Sequence, residues 1–229
     1  MKFLLPFFTL VSLGAYAMER IQIIPPTTLS LNEASSEVDP TQIQSAAIQE
    51  IIDEMLLLAR GERQDVEKRI MVGLAAPQVG IDLRIILVDM GIDADRRQPG
   101  QLEAFINPEI IWHSDETVME REGCFSTGDI YGIVPRYHAI RVRAYDRDGN
   151  QSIVEYTGFR ARIFQHEIDH INGIRFPDRV GCDGLLHWVK EEERTQYRDN
   201  WQNWPNRCPF SSWETMKSGT PVSPSVEAN

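Results

Sequence analysis

The hydrophobic pattern runs first with a helical period, then with strand-like alternation, then with a helical period again. In "TQIQSAAIQEIIDEMLLLARG", residues 41–61, Ile43, Ala47, Ile51, Met55 and Leu58 recur three or four positions apart. That spacing predicts an amphipathic helix, with Gly61 placed to end it. The segment before it, 20–40, carries Pro25, Pro26 and Pro40 and reads as extended or irregular. "VGLAAPQVG", 72–80, reads as a glycine-bounded loop broken by Pro77, and "GIDADRRQPGQLE", 91–103, as a polar loop. "LRIILVDM" (83–90), "AFINPEIIWH" (104–113) and "TVMEREGCFS" (117–126) are strand candidates. "AIRVRAYDRDGNQSIVEYTG", 139–158, alternates on both sides of Asp148-Gly149-Asn150, the pattern of a hairpin. In "FRARIFQHEIDHING", 159–173, Phe159, Ile163, His166 and His170 return to helical spacing, with Gly173 as the stop.

A helix, several antiparallel strands and then a helix bearing histidines make an α+β order. No internal repeat is visible. The last part of the chain is expected to open as a helix and to close polar and proline-bearing, disordered from about Lys217. Trp201, Trp204 and Trp213 would pack this extension back on the body. The organisation read from the sequence is a leader at 1–17, a main domain at 18–185 and a C-terminal helix and tail at 186–229.

Composition adjusts this picture in three places. At 229 residues and 42% hydrophobic, the chain suits one ordinary domain with tails. A net charge of −11 argues against a general nucleic-acid binder, and no direct nucleic-acid recognition is expected. "MKFLLPFFTLVSLGAYA" has Lys2, an apolar run from Phe3 to Leu13, and Ala15 and Ala17 before Met18. That is the layout of a secretory signal peptide, which implies export and no membrane span in the mature protein; the rival is a cytoplasmic protein translated from Met18. Cys124, Cys182 and Cys208 are the cysteines, and export would permit a Cys182–Cys208 disulfide.

The chemistry concentrates in "QHEIDH", 165–170. On a helix, His166 and His170 share a face one turn apart and can grip one metal ion, with Glu167 beside them as general base. A third protein ligand is then needed, and Cys124, Asp169, His187 or a remote carboxylate could supply it. Asp169 adjoins His170 and so points off the shared face, while Cys124 is a good soft donor beside a glycine.

Three stretches in order carry a resemblance: "MVGLAAPQ" (71–78), "EGCFS" (122–126) and "QHEIDHING" (165–173). Together they resemble the peptide deformylase family, over roughly residues 20–185, with "VPR" (134–136) and "VRAYDRDG" (142–149) also similar. The resemblance implies antiparallel sheets around a central helix carrying the H-E-x-x-H-type motif, and a hydrolase that releases formate from formyl-methionyl peptides. It implies Cys124, His166 and His170 as metal ligands, Glu167 as general base and acid, and the Gln78 side chain and Phe125 backbone N–H as oxyanion donors. Gly73 would leave room for the substrate backbone, and Glu122 and Arg136 would hold the site together. The implied metal is Fe2+, with Zn2+, Ni2+ or Co2+ as substitutes. The implied partners are N-formylated peptides or nascent chains, with the ribosome included for a cytoplasmic enzyme.

The chain departs from the family pattern at Met71, Phe125, Thr127-Gly128, Arg162 and Ile171, none of which removes a ligand or the base. Arg162, one turn before His166, is expected to line or alter the side-chain pocket. Two other functions compete: an exported amidase of the same fold acting on other small N-acyl peptides, and a non-catalytic metal- or peptide-binding domain. Intact Glu167 and Gln78 argue against the second.

Overall fold

A computed structural model describes residues 21–63, 71–92 and 101–224. The signal-like leader lies outside the described residues. The first helix, α1 (Ala46–Ala59), starts later than its hydrophobic spacing suggests. Pro40 opens a separate 3-10 turn, Pro40–Gln42, whose Thr41 N–H is held by Asp39, and only then does Ser45 cap α1 by accepting from the Ile48 N–H. Of the positions read as its apolar face, Ile43, Met55 and Leu58 are buried. Ile48, Ile52, Met55 and Leu56 face the core, whereas Ala47 is exposed and Ile51 half-buried.

Eight strands follow: β1 (Gly73–Ala75), β2 (Ile85–Asp89), β3 (Leu102–His113), β4 (Thr117–Gly123), β5 (Ile130–Tyr137), β6 (Ala139–Tyr145), β7 (Gln151–Thr157) and β8 (Leu186–Trp188). They form two antiparallel sheets, one ordered β1-β2-β3-β6-β7 and the other β4-β5-β8. The glycine-bounded stretch read as a loop therefore contributes a short strand, Leu74 pairing opposite Leu87, before Pro77 turns it into a 3-10 helix, Ala76–Val79. β6 and β7 are the expected hairpin, closed by Asp146, whose carboxylate accepts from the Asp148 and Asn150 N–H groups, and by Gly149 at φ 82°. β5 has no clean alternation, because it is buried on both faces for most of its length.

The histidine helix, α2 (Gly158–Ile171), runs between the two sheets, packing on β1, β2 and β7 on one side and on β5 on the other. Ala161, Ile163, Phe164, Ile168 and Ile171 join Ile86, Val88, Ile140 and Val142 in one core cluster. Full burial of each large aliphatic or aromatic side chain contributes about 1.5–3 kcal/mol, so this face fixes the helix firmly. The helix ends in a Schellman turn. The Gly173 N–H (φ 71°) bonds to the His170 carbonyl and the Ile174 N–H to the Asp169 carbonyl. The antiparallel α+β architecture read from the sequence is thus the observed one.

The C-terminal part differs from expectation. Leu186–Trp188 is a strand pairing with β5, with a short helix, α3 (Phe176–Val180), before it and α4 (Arg194–Asn200) and α5 (Phe210–Lys217) after it. The tryptophans do pack back. Trp213 is fully buried and donates to Asp178 (2.9 Å), and the Trp204 indole N–H donates to the Trp188 carbonyl (2.9 Å). Chain order persists past Lys217, since Val222 still packs against this cluster. All three cysteines are free, Cys182 exposed and Cys208 buried, so no Cys182–Cys208 disulfide clips the tail. Among the described residues no helix is long and apolar enough to cross a membrane.

Candidate metal centre

Three elements converge where α2 faces the small sheet. The end of β4 delivers Cys124, α2 delivers His166, Glu167 and His170, and the 3-10 helix after β1 delivers Gln78. The ligand atoms of Cys124, His166 and His170 all lie within 4.8 Å of one another. The metal-ligating set is therefore a Cys/His/His triad. Cys124 Sγ and His170 Nε2 are 3.3 Å apart. Donors around one tetrahedral ion at ordinary Zn–N and Zn–S lengths stand about 3.5 Å apart, so one thiolate and two imidazoles so placed fit a divalent transition metal. The other two candidate third ligands are committed elsewhere. Asp169 pairs with Arg136 (2.5 Å) and Arg179 (2.5 Å), and His187 lies between the Tyr197 hydroxyl and Arg207.

A buried charge network fixes His166. Its Nδ1 bonds to Glu122 Oε2 at 2.8 Å, which leaves Nε2 to face the triad. The same carboxylate accepts from Arg136 Nε (2.9 Å), Arg136 Nη2 (2.9 Å) and Arg162 Nη1 (2.7 Å). Burial by itself raises the Glu122 pKa, but the Arg136 charge and the hydrogen bonds from His166 and Arg136 outweigh it and hold the carboxyl well below its usual range. The Glu122–Arg136 pair expected from the sequence is joined by Arg162, which also donates to the Val134 and Val118 carbonyls and lines the pocket. Burial pushes His170 well below its ordinary pKa, which keeps it neutral. Its Nδ1 is buried without a hydrogen-bond partner among the described residues.

Glu167 is buried to 4% exposure, and burial raises its pKa to about 7. One carboxylate oxygen, Oε2, has no hydrogen-bond partner among the described residues. The space it occupies exists because residue 73 is glycine. A Cβ there would stand 2.3 Å from Glu167 Oε1, so Gly73 makes room for this carboxylate. Gly123 answers a similar need, since its Cβ would fall 2.1 Å from the Tyr131 ring. The Gln78 amide is oriented from behind. Its Oε1 accepts from the Ala75 N–H (2.8 Å), which turns Nε2 toward Cys124 Sγ (3.3 Å) and Ser126 Oγ (3.2 Å). Phe125 starts a short 3-10 turn, Phe125–Thr127, and lines the same pocket.

Sequence reasoning missed Ser126, which is fully buried beside Gln78, and a wall contributed by Arg194, Tyr197 and Arg198 of α4. Nothing in local pattern marks these residues, because the wall is brought to the pocket by the returning tail. The pocket as a whole has a volume of about 290 Å³.

Comparison with known proteins places this geometry. The family model for polypeptide deformylase matches residues 18–183. The chain is 43% identical over 136 residues to a peptide deformylase of Brachyspira hyodysenteriae, covering 59% of this chain and 73% of that protein. It is 38% identical over 177 residues to peptide deformylase 2 of a Nostoc species, covering 76% and 93%. Among solved structures, the Met-Ala-Ser-bound class I type b peptide deformylase of Acinetobacter baumannii aligns at a TM-score of 0.61 and 30% identity, over 70% of this chain and 98% of that one. The peptide deformylase of Thermotoga maritima aligns at 0.59 and 30%, over 72% and 99%. With the matched segment spanning β1 to β7, α2 and the whole Cys/His/His triad, the chain belongs to the polypeptide deformylase family.

Proposed function

We propose that this protein is a metal-dependent hydrolase that removes the N-formyl group from formyl-methionyl peptides and releases formate. The observation that carries this reading is the Cys/His/His triad with a buried, proton-accepting carboxylate next to it in one pocket. Cys124, His166 and His170 would hold the metal, with Fe2+ as the resident ion and Zn2+, Ni2+ or Co2+ as substitutes compatible with one thiolate and two imidazoles. When bound, the ion polarises the formyl carbonyl and makes water a nucleophile near neutral pH.

The chain's own groups do the rest. Glu167 takes a proton from the attacking water through Oε2, the oxygen that no described residue engages. As the C–N bond breaks, it returns the proton to the amine, leaving formate and a free peptide N-terminus. Gln78 Nε2 and the Phe125 backbone N–H would donate to the oxygen that gains negative charge, and loss of one such donor typically costs about 3 kcal/mol of transition-state stabilisation. Glu122, Arg136 and Arg162 act behind His166 as positioning groups that hold its ring and tautomer. N-formylated peptides, including nascent chains, are the substrates.

The test is anaerobic purification with metal analysis, followed by formate release from formyl-Met-Ala-Ser and from its acetyl counterpart. Metal-loaded protein should release formate and leave the acetyl peptide intact. Cleavage of the acetyl peptide alone, or of neither, would reject the reading.

A further inference from the structure

The family match stops at residue 183, yet α4, beginning at Arg194, forms one wall of the pocket that holds the triad. This wall is fixed in place. Tyr197 is 1% exposed, its hydroxyl meets His187 Nδ1 at 3.0 Å, and its ring packs edge-on against Tyr131 and Trp204. Backbone bonds from Trp188 to Asn206, Val189 to Asp129 and Cys208 to Leu186, each 2.9 Å, tie the tail to the small sheet.

What the wall presents is positive charge. Arg194 and Arg198 of α4 line the same pocket as Arg121 of β4. In a chain of net charge −11 this grouping runs against the overall balance. Arg121 is partly desolvated, and its Nε is buried with no hydrogen-bond partner among the described residues. Glu120 and Asp199 attract it electrostatically, but among the described residues no carboxylate reaches it as an ion pair. Arg198 repels it. Arg194 is partly engaged, bonding Glu191 at 3.1 Å, and its Nε is also buried without a partner among the described residues. Arg162 lines the pocket too, but it is committed to Glu122. Two guanidiniums that line one pocket and repel each other, with donors left over, match a carboxylate, which both can engage at once.

A formyl group at the triad would leave the residues that follow it in the same pocket that Arg121, Arg194 and Arg198 line. We propose that the C-terminal extension makes the enzyme select formyl-peptides that carry a carboxylate within the first few residues after formyl-methionine, with Arg121 and Arg198 as the specificity-determining side chains. The inference rests on the deformylase reading and adds a substrate class to it. The carboxylate can be an Asp or Glu side chain or the free C-terminus of a short peptide.

The probes are formyl-Met-Ala-Ser as its C-terminal amide, the same peptide as the free acid, and formyl-Met-Glu-Ser and formyl-Met-Lys-Ser amides. KM and kcat are measured on metal-loaded wild type, and affinity is measured separately by calorimetry on the metal-loaded Glu167→Gln variant. At low salt at least one carboxylate peptide should show KM and Kd about tenfold below the neutral amide, with kcat little changed. The advantage should shrink in about 0.5 M NaCl, where exposed charge is screened. Advantage in the free acid alone assigns the C-terminus, and advantage in the Glu amide alone assigns the side chain. Arg121→Gln should reduce the ratio. Arg198→Glu, at an exposed position where folding is not at risk, should turn the preference toward the Lys peptide. Equal affinities within about twofold, with normal formate release, would overturn this proposal alone. So would an acidic preference that survives Arg198→Glu. No formate from any peptide would instead overturn the deformylase reading on which it rests.

Discussion

Replacing Gly73 by alanine tests the arrangement of the candidate base more sharply than removing the base. The added Cβ would meet Glu167 Oε1 at 2.3 Å, Cδ at 2.8 Å and Cγ at 2.9 Å, whereas ordinary contact begins near 3.4 Å. Relief therefore needs a movement of about 1 Å at the carboxylate, and the clash involves three side-chain atoms, so a swing of the tip alone does not clear it. Glu167 is 4% exposed and lines the pocket that holds the triad, so a carboxylate pushed off Gly73 moves into the space where the reaction takes place. Misplacement of a catalytic group by about 1 Å costs on the order of 100-fold in rate, and overpacking of this kind costs about 1–3 kcal/mol of stability. Gly73→Ala should therefore lose about 100-fold in kcat for formyl-Met-Ala-Ser while keeping its metal. The assay is formate release beside metal content and thermal unfolding. Gly149→Ala, in a hairpin where a Cβ meets nothing within 4 Å, controls for a general glycine effect, its φ of 82° costing stability without touching the site. Near-normal kcat in folded, metal-loaded Gly73→Ala would refute the placement of Glu167 as the group that handles the proton.

Three further outcomes follow from the same geometry. Glu167→Ala should retain metal and lose at least about 100-fold in turnover, and a variant close to wild type would remove Glu167 from the mechanism. Cys124→Ser should bind metal more weakly and lose normal activity, because a hydroxyl is a far poorer donor than a thiolate; unchanged metal content would exclude Cys124 as a ligand. His187 is fully buried, and burial followed by the Arg207 charge lowers its pKa to about 4. Its folded pKa lies below its unfolded one, so the unfolded chain binds more protons between the two, and the stability it contributes is present above about pH 6.5 and lost as pH falls toward about 4. By pH 5 the loss is about 2 kcal/mol, or about 4–8 °C in Tm, and His187→Gln should flatten that drop in a melting series from neutral to mildly acid pH. An equal drop in the variant would show that other groups carry it.

The triad was legible in the sequence to the extent that chemistry is local. His166 and His170 are four residues apart, and helical geometry alone puts them on one face. Cys124 became a ligand candidate through its glycine-flanked setting and through the motif resemblance, which also singled out Gln78, Glu167 and the Glu122–Arg136 pair. The antiparallel α+β class was legible from the change of period, and the β6–β7 hairpin from its turn residues.

What the sequence did not determine depended on long-range pairing. Spacing gave the buried side of α1 only in part: Ile43, Met55 and Leu58 are buried as read, but Ile48, Ile52 and Leu56 are buried too and Ala47 is exposed, because the helix packs against partners that the spacing does not name. The stretch read as the loop before Gln78 proved to contain a strand only because β2 lies beside it. Leu186–Trp188 became a strand rather than the start of a helix because β5 offers it a free edge, a gain that local propensity does not contain. The same docking carries α4 to the pocket and brings Arg194 and Arg198 into one lining with Arg121, residues more than seventy positions apart. Period and motif are properties of neighbours along the chain, and they determined the candidate ligands and the class of fold. Which charges surround the substrate was decided by contacts between distant segments, whose energies come from burial and pairing that exist only once the tail has folded back.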